Sequence, residues 1–249
     1  MRRLTLSTLT HPDPKIGLED LSEAQKRAYE IVKSEIESLR NTEITLKCGA
    51  IILGATGSGK SQLLVTINNH AKLWLDYLNG PKLYSWITRD KNIRYEKTRN
   101  ALENIIRNSA IKNNGVAVID DIDLGPNVTR EGIRNFVTYI LNKGINNELD
   151  YFTIITMNTE TYRLLMRDEL FRSKVSQHFH LIQLVWSVDE LVKAVKKRLG
   201  ILGWVIDDDI IKLIAQVAKT PRSASVMAGK IKEVDERKLI IDYARRGLY

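Results

Sequence analysis

Residues 54–61 read Gly-Ala-Thr-Gly-Ser-Gly-Lys-Ser, directly behind the apolar run Ala-Ile-Ile-Leu at 50–53. Glycines let a backbone curl tightly enough for successive N–H groups to converge on an anion, and a lysine and a hydroxyl just beyond supply a mobile cation and a ligand for a hard metal ion. The spacing Gly-x4-Gly-Lys-Ser is that of a phosphate loop. Gly54, Ala55, Thr56, Gly57, Ser58, Gly59, Lys60, Ser61 and the next residue, Gln62, are therefore the nucleotide-contacting run. Within it Lys60 reaches the outer phosphates and Ser61 binds magnesium.

About sixty residues further on, Gly-Val-Ala-Val-Ile-Asp-Asp-Ile-Asp ends an apolar run in acids. Asp120 is placed to hold magnesium, directly or through water, and Asp121 to orient an attacking water. Asp123 reads as a solvated turn residue. A third apolar run, Tyr151 to Met157, ends in Asn158. Because parallel strands present their carboxyl ends to the ligand crevice, Asn158 is expected to face the γ-phosphate.

The pattern around these residues must position them. Ser22 with Gln25 forms a capping box, followed by a stripe of Ala24, Ala28, Ile31, Val32, Ile36 and Leu39, which predicts a first helix. Strands are expected at 50–53, 83–87, 116–119, 152–156 and 180–184. Helices are expected between them, at 60–79, 96–112 and about 130–142, with helical sequence again before the last strand. Short apolar strands alternating with helices indicate a five-stranded parallel sheet covered on both faces. After Val185 the pattern is purely helical. Ser187 with Glu190 is a second capping box, Ile210, Ile211, Leu213, Ile214, Val217 and Ala218 form a stripe, and Thr220-Pro221 starts another helix. The expected domains are a tail at 1–17, an α/β phosphate-loop domain at 18–185 and a small helical lid at 186–249.

Composition narrows the class. Hydrophobic residues make up 43% and charged residues 27% of 249, a globular balance, and no apolar run approaches a membrane span. A single cysteine, Cys48, rules out an internal disulfide, and four scattered histidines show no metal-ligand spacing. Together these fit a cytoplasmic protein. The net charge of +8 favours an acidic partner. From Lys82 to Lys112 eight lysines and arginines stand against three acids, with Tyr84, Trp86 and Tyr95 among them. Arg89, Lys91, Arg94, Lys97 and Arg99 are accordingly candidate contacts to a DNA backbone, with the aromatics available for base stacking.

Taken in order, Gly-Ala-Thr-Gly-Ser-Gly-Lys-Ser, Ala-Val-Ile-Asp-Asp-Ile-Asp, Thr-Ile-Ile-Thr-Met-Asn, and Leu-Phe-Arg-Ser-Lys leading into a helical segment with Thr-Pro-Arg-Ser-Ala resemble the AAA+ ATPases over residues 20–235. The paired aspartates are similar to the replication-initiator and helicase-loader branch, the DnaA-like and DnaC-like proteins. The resemblance implies ATP and magnesium as ligands and ATP-dependent homo-oligomers. It implies that Arg222 is the lid arginine that touches the γ-phosphate, and that a neighbouring subunit supplies an arginine finger. Members often read Ser-Arg before the last strand, whereas this chain has Ser173-Lys174; Arg172 is favoured for the finger, with Lys174 and Arg167 as alternatives. Only 27 residues follow Arg222, too few for a separate DNA-reading domain of ordinary size. That points to a loader-like ATPase acting in replication initiation, helicase loading or DNA remodelling, with DNA and a replication or recombination protein as partners. Two alternatives are a slowly hydrolysing nucleotide switch and a DNA-packaging or helicase-type motor. Isoleucine- and lysine-rich composition points to an archaeal virus or plasmid, in which case the host cytoplasm is the setting.

Overall fold

The computed structural model describes residues 12–40, 47–71, 116–122 and 152–231, together with 133, 134, 137, 138 and 142. Their chain folds into two compact units. One contains the described parts of Arg27–Leu53 and Ile67–Gln183, the other those of Met1–Lys26, Gly54–Thr66 and Leu184–Tyr249.

The first unit is built on strands β1 (Gly49–Gly54), β2 (Val116–Ile122), β3 (Phe152–Asn158) and β4 (Phe179–Gln183), in the order β2-β3-β1-β4. The β1–β4 and β2–β3 ladders are parallel. β1 is buried along its whole length and β3 along all but its last residue, as the continuous apolar runs require of strands covered on both faces. Ile51, Ile52, Ile154 and Ile155 are fully buried there, each worth roughly 1.5–3 kcal/mol of transfer free energy. Gly49 opens β1 because a Cβ there would lie 2.0 Å from the carbonyl oxygen of Thr153. The sheet is therefore parallel with four strands among the described residues, against five expected. The fifth, read at 83–87, lies outside those residues.

The strand order also fixes how the chain crosses the sheet. From β1 the chain crosses to β2 beyond β3, whereas from β3 it crosses to β4 beyond β1, so connections leave the adjacent strands β1 and β3 in opposite directions. The glycine loop continues from β1, and Asn158 ends β3.

The helices follow their local signals. Helix α1 (Glu23–Arg40) buries Ala28, Val32 and Ile36, and Glu35 on it pairs with His180 of β4 at 2.6 Å. Helix α2 (Lys60–Ala71) follows the glycine loop. Two helices join β3 to β4, α3 (Thr159–Leu165) and α4 (Glu169–His178). Asp168 caps α4 by accepting from the Phe171 N–H at 3.0 Å, and its other oxygen meets Arg134 at 3.1 Å.

In the second unit the carboxyl-terminal helices are α5 (Val188–Ile201), α6 (Asp208–Val217) and α7 (Pro221–Ile231). They share a core of Val195, Leu199, Ile211, Ile214, Met227, Ala228 and Ile231. Leu213 does not join it and is 37% exposed, because it lies two residues from Ile211, about 200° round a helix of 3.6 residues per turn. Both sequence-read caps are present: Ser187 and Glu190 exchange hydrogen bonds, and Thr220 Oγ1 accepts from the Ser223 N–H at 3.2 Å. No helix among the described residues is long and apolar enough to cross a membrane.

Candidate functional site: a glycine loop and two acidic or polar strand ends

The glycine loop lies entirely in the second unit. Gly57 and Gly59 take φ values of 80° and 90°, the left-handed region that a side chain disfavours. A Cβ on Gly54 would stand 2.2 Å from Ser58 Oγ and 3.0 Å from Ser58 Cβ, so a side chain at that position would have to displace Ser58. The Ser58 N–H donates to the Ala55 carbonyl at 3.1 Å, closing the turn. Lys60 is buried, and its ammonium reaches back across the curl to the carbonyls of Gly54 at 3.0 Å and Ala55 at 3.2 Å.

The loop is braced by three donors from far along the chain. The Arg222 N–H, in the first turn of α7, donates to the Gly57 carbonyl at 3.3 Å. Trp186, between β4 and α5, donates its indole N–H to the Ser58 carbonyl at 2.8 Å. Gln25 donates its side-chain amide to the Gly59 carbonyl at 3.0 Å, while its Oε1 accepts from the Ser22 N–H in the capping box. Gln62 exchanges two hydrogen bonds with the backbone of Asp13, at 2.8 and 2.9 Å. Asp13 also faces the buried guanidinium of Arg198 at 3.4 Å.

Glu190 ties α5 to the start of α1: Oε1 accepts from the Glu23 N–H at 2.8 Å, and Oε2 from the Ser187 N–H and hydroxyl, each at 2.8 Å. Burial opposes ionisation of this carboxyl. The backbone N–H groups of Ser187 and Glu23, the Ser187 hydroxyl and nearby Lys193 outweigh it and hold the group below its ordinary value.

The acidic strand end lies in the first unit. β2 runs in register with β3 from Val116 to Ile119, then slips, so that Asp120 and Asp121 together stand opposite Thr156 before Ile122 pairs with Met157. Such a bulge interrupts the regular alternation of the strand and can re-aim the Asp120 side chain. Thr156 is buried and donates its hydroxyl to Asp120 Oδ1. Asn158 is half-buried, and its Oδ1 accepts from the Glu160 N–H at 3.0 Å, capping α3. That bond settles which end of the carboxamide is oxygen and leaves Nδ2 as the donor end.

The candidate finger residues lie on or beside α4. Arg172 is largely exposed and meets Glu169 at 3.6 Å; Lys174 meets Asn142 at 3.5 Å; Arg167 is exposed. Asp123 and the basic candidates Arg89, Lys91, Arg94, Lys97 and Arg99 lie outside the described residues. Burial, outweighing nearby Lys47, pushes the Cys48 thiol above its usual range, which disfavours the thiolate a nucleophile needs. Among the described residues, no three or more His, Cys, Asp or Glu side chains group to hold a metal ion.

Sequence reasoning passed over Trp186 and Thr156, and read Gln25 as a cap and as part of a run, Leu21 to Ala28, resembling the glutamine motif that precedes such loops in helicases. For Trp186 the available signal was its position, between the last strand's end and a capping box.

No protein-family model matches the sequence, and no curated protein does. Solved structures do match. A structure of the replication initiator DnaA bound to AMPPCP and single-stranded DNA aligns at a TM-score of 0.61 and 19% identity, over 94% of this chain and 69% of that one. Domain III of the replication initiation protein DnaA from Thermotoga maritima aligns at 0.58 and 16% identity, over 93% and 97%. The RuvB Holliday junction branch migration motor from Thermotoga maritima aligns at 0.54 and 16%, over 89% and 68%. This chain has the AAA+ fold: a parallel sheet with helices on both faces, followed by a helical carboxyl-terminal region.

Proposed function

We propose that this chain binds ATP with magnesium and hydrolyses it, acting on DNA in replication initiation, helicase loading or DNA remodelling. The observation that carries the reading is the glycine loop, in which Gly57 and Gly59 adopt left-handed φ values, Lys60 lies buried across the curl and Arg222 packs on Gly57. Such a loop surrounds phosphates with N–H groups at a helix N-terminus. The DnaA structure holding AMPPCP supports nucleotide as the ligand, and its single-stranded DNA supports DNA as the polymer acted upon.

Each residue has a part. Backbone N–H groups of the loop from Gly54 to Ser61, other than the Ser58 N–H that closes the turn, and the Gln62 turn hold the phosphates; Lys60 offsets their charge. Ser61 and Asp120 are all-oxygen donors that suit a hard cation, and Thr156 orients the Asp120 carboxylate. Magnesium, when bound, offsets charge on the phosphates. Asp121 orients the attacking water as a base one methylene shorter than glutamate. Asn158, with Oδ1 engaged in its cap, offers Nδ2 to the γ-phosphate. Arg222 senses the γ-phosphate from the lid. Arg172 reaches a neighbouring subunit's nucleotide in an ATP-dependent homo-oligomer; its exposed pairing with Glu169 costs little to break.

ATP turnover of the unsubstituted protein and Asp121→Asn, with and without single- and double-stranded DNA and followed by mass determination in solution, tests the reading. DNA-stimulated turnover lost in the variant, with assembly on ATP, supports it; ATP binding without turnover or DNA effect supports the slow switch that acts on a partner protein. The Ser173-Lys174 slot favours that second reading, because a lysine lacks arginine's planar fork. Replacing Arg94, Lys97 and Arg99 by glutamate is expected to weaken DNA binding and reduce its salt slope, and an unchanged slope excludes the basic segment. The setting proposed is the cytoplasm.

A further inference from the structure

We infer that Trp186 is a positioning residue for the phosphate cradle: by holding the Ser58 carbonyl, its indole aims the Gly59 N–H at bound phosphate. This rests on the glycine loop being a phosphate site. In a trans peptide the carbonyl of one residue and the N–H of the next point to opposite sides of the plane. With the Ser58 carbonyl accepting from Trp186 Nε1 at 2.8 Å, the Gly59 N–H is directed to the opposite side of that peptide plane, away from the indole.

An external anchor is needed at this peptide in particular. Gly59 has a φ of 90° and, as glycine, tolerates the opposite sign almost equally, so the Ser58–Gly59 plane has little intrinsic preference for either orientation. Ser58 gives no help, since its own N–H is committed to the Ala55 carbonyl. The next carbonyl, that of Gly59, has two holders, the Leu63 N–H at 2.9 Å within α2 and Gln25 at 3.0 Å. For the Ser58 carbonyl the holder is Trp186. An indole N–H donates only, so the bond cannot invert its sense. The ring also lies close to Gly59: a Cβ there would be 3.5 Å from Trp186 Cζ2. The chain just beyond is held by the Ser187–Glu190 capping box and the Glu23 N–H, which fix where the indole stands.

The test is a titration series with ATP, ADP, pyrophosphate and adenosine, all with magnesium, on the unsubstituted protein and on Trp186→Phe, which keeps a ring against Gly59 but loses the N–H. Binding of the three phosphate-bearing ligands is expected to weaken about three- to tenfold, the range for one net hydrogen bond, with adenosine unchanged. If the unsubstituted protein does not bind ATP, the phosphate-loop reading fails and this inference with it. If it binds and Trp186→Phe matches it, only the inference is overturned; an equal loss for adenosine also overturns it, because the residue would then support the base or the fold.

Should the variant not fold, 15N-tryptophan labelling of the unsubstituted protein serves. One of four indole N–H resonances should shift with pyrophosphate and ADP but not adenosine, and four unmoved resonances refute the inference.

Discussion

Gly57→Ala probes the point where the glycine loop meets the first turn of α7. At Gly57 the φ of 80° costs an alanine about 1–2 kcal/mol for left-handed backbone. The new Cβ would lie 2.5 Å from Arg222 Cβ, closer than carbon atoms approach, so α7 must yield or the loop unwind. Either response strains the 3.3 Å bond from the Arg222 N–H to the Gly57 carbonyl, worth about 0.5–1.5 kcal/mol. The combined destabilisation is roughly 1.5–3.5 kcal/mol, read by urea unfolding at constant slope. Arg222→Gly in the same background removes the colliding Cβ and should leave only the backbone cost, about 1–2 kcal/mol, when each variant is compared with its own parent. Gly200→Ala is the control: nothing lies within 4 Å of a Cβ there and the position is helical, so that change should stabilise by about 0.5–1 kcal/mol. A Gly57→Ala protein within about 0.5 kcal/mol of its parent, or a cost unaltered by Arg222→Gly, would refute the packing argument.

Three further outcomes are expected. Burial pushes the Tyr162 phenol from its ordinary 10.0 up to about 12, so its ionisation costs the fold nothing below pH 10, and stability is lost as pH rises towards 12. Its buried hydroxyl has no hydrogen-bond partner among the described residues, so Tyr162→Phe should raise stability by about 1 kcal/mol at neutral pH and flatten the alkaline loss, both read by denaturation from pH 7 to 12. Asp168→Ala removes the α4 cap and the Arg134 contact and should cost about 1–2 kcal/mol, whereas Arg134→Ala should cost under about 1 kcal/mol, by chemical denaturation. ATP with magnesium at a hundred times its dissociation constant should stabilise the protein by about 2.7 kcal/mol in a thermal scan, and Lys60→Ala should remove most of that shift.

Features written in short windows were legible from sequence. Ser187 with Glu190 and Thr220 with Pro221 mark helix starts because a cap involves residues three apart, and the structure places both helices there. The apolar runs at β1 and β3 announced strands buried on both faces, since nothing polar interrupts them. Leu213 was misread, because a list of apolar residues says less than their angles round the helix. The slip that sets Asp120 and Asp121 opposite Thr156 was invisible, because register depends on the partner strand.

By itself, then, the sequence determined the glycine loop, its strand-to-helix setting and the acidic and polar strand ends. Each follows from residue type and near spacing. Only the tertiary structure decided what holds that loop and those strand ends in place. Trp186 meets Ser58 across 128 residues, Gln25 meets Gly59 across 34, and Thr156 meets Asp120 across 36. No periodicity encodes such pairs: they form because packing the strands and helices brings together the polar groups whose burial demands partners.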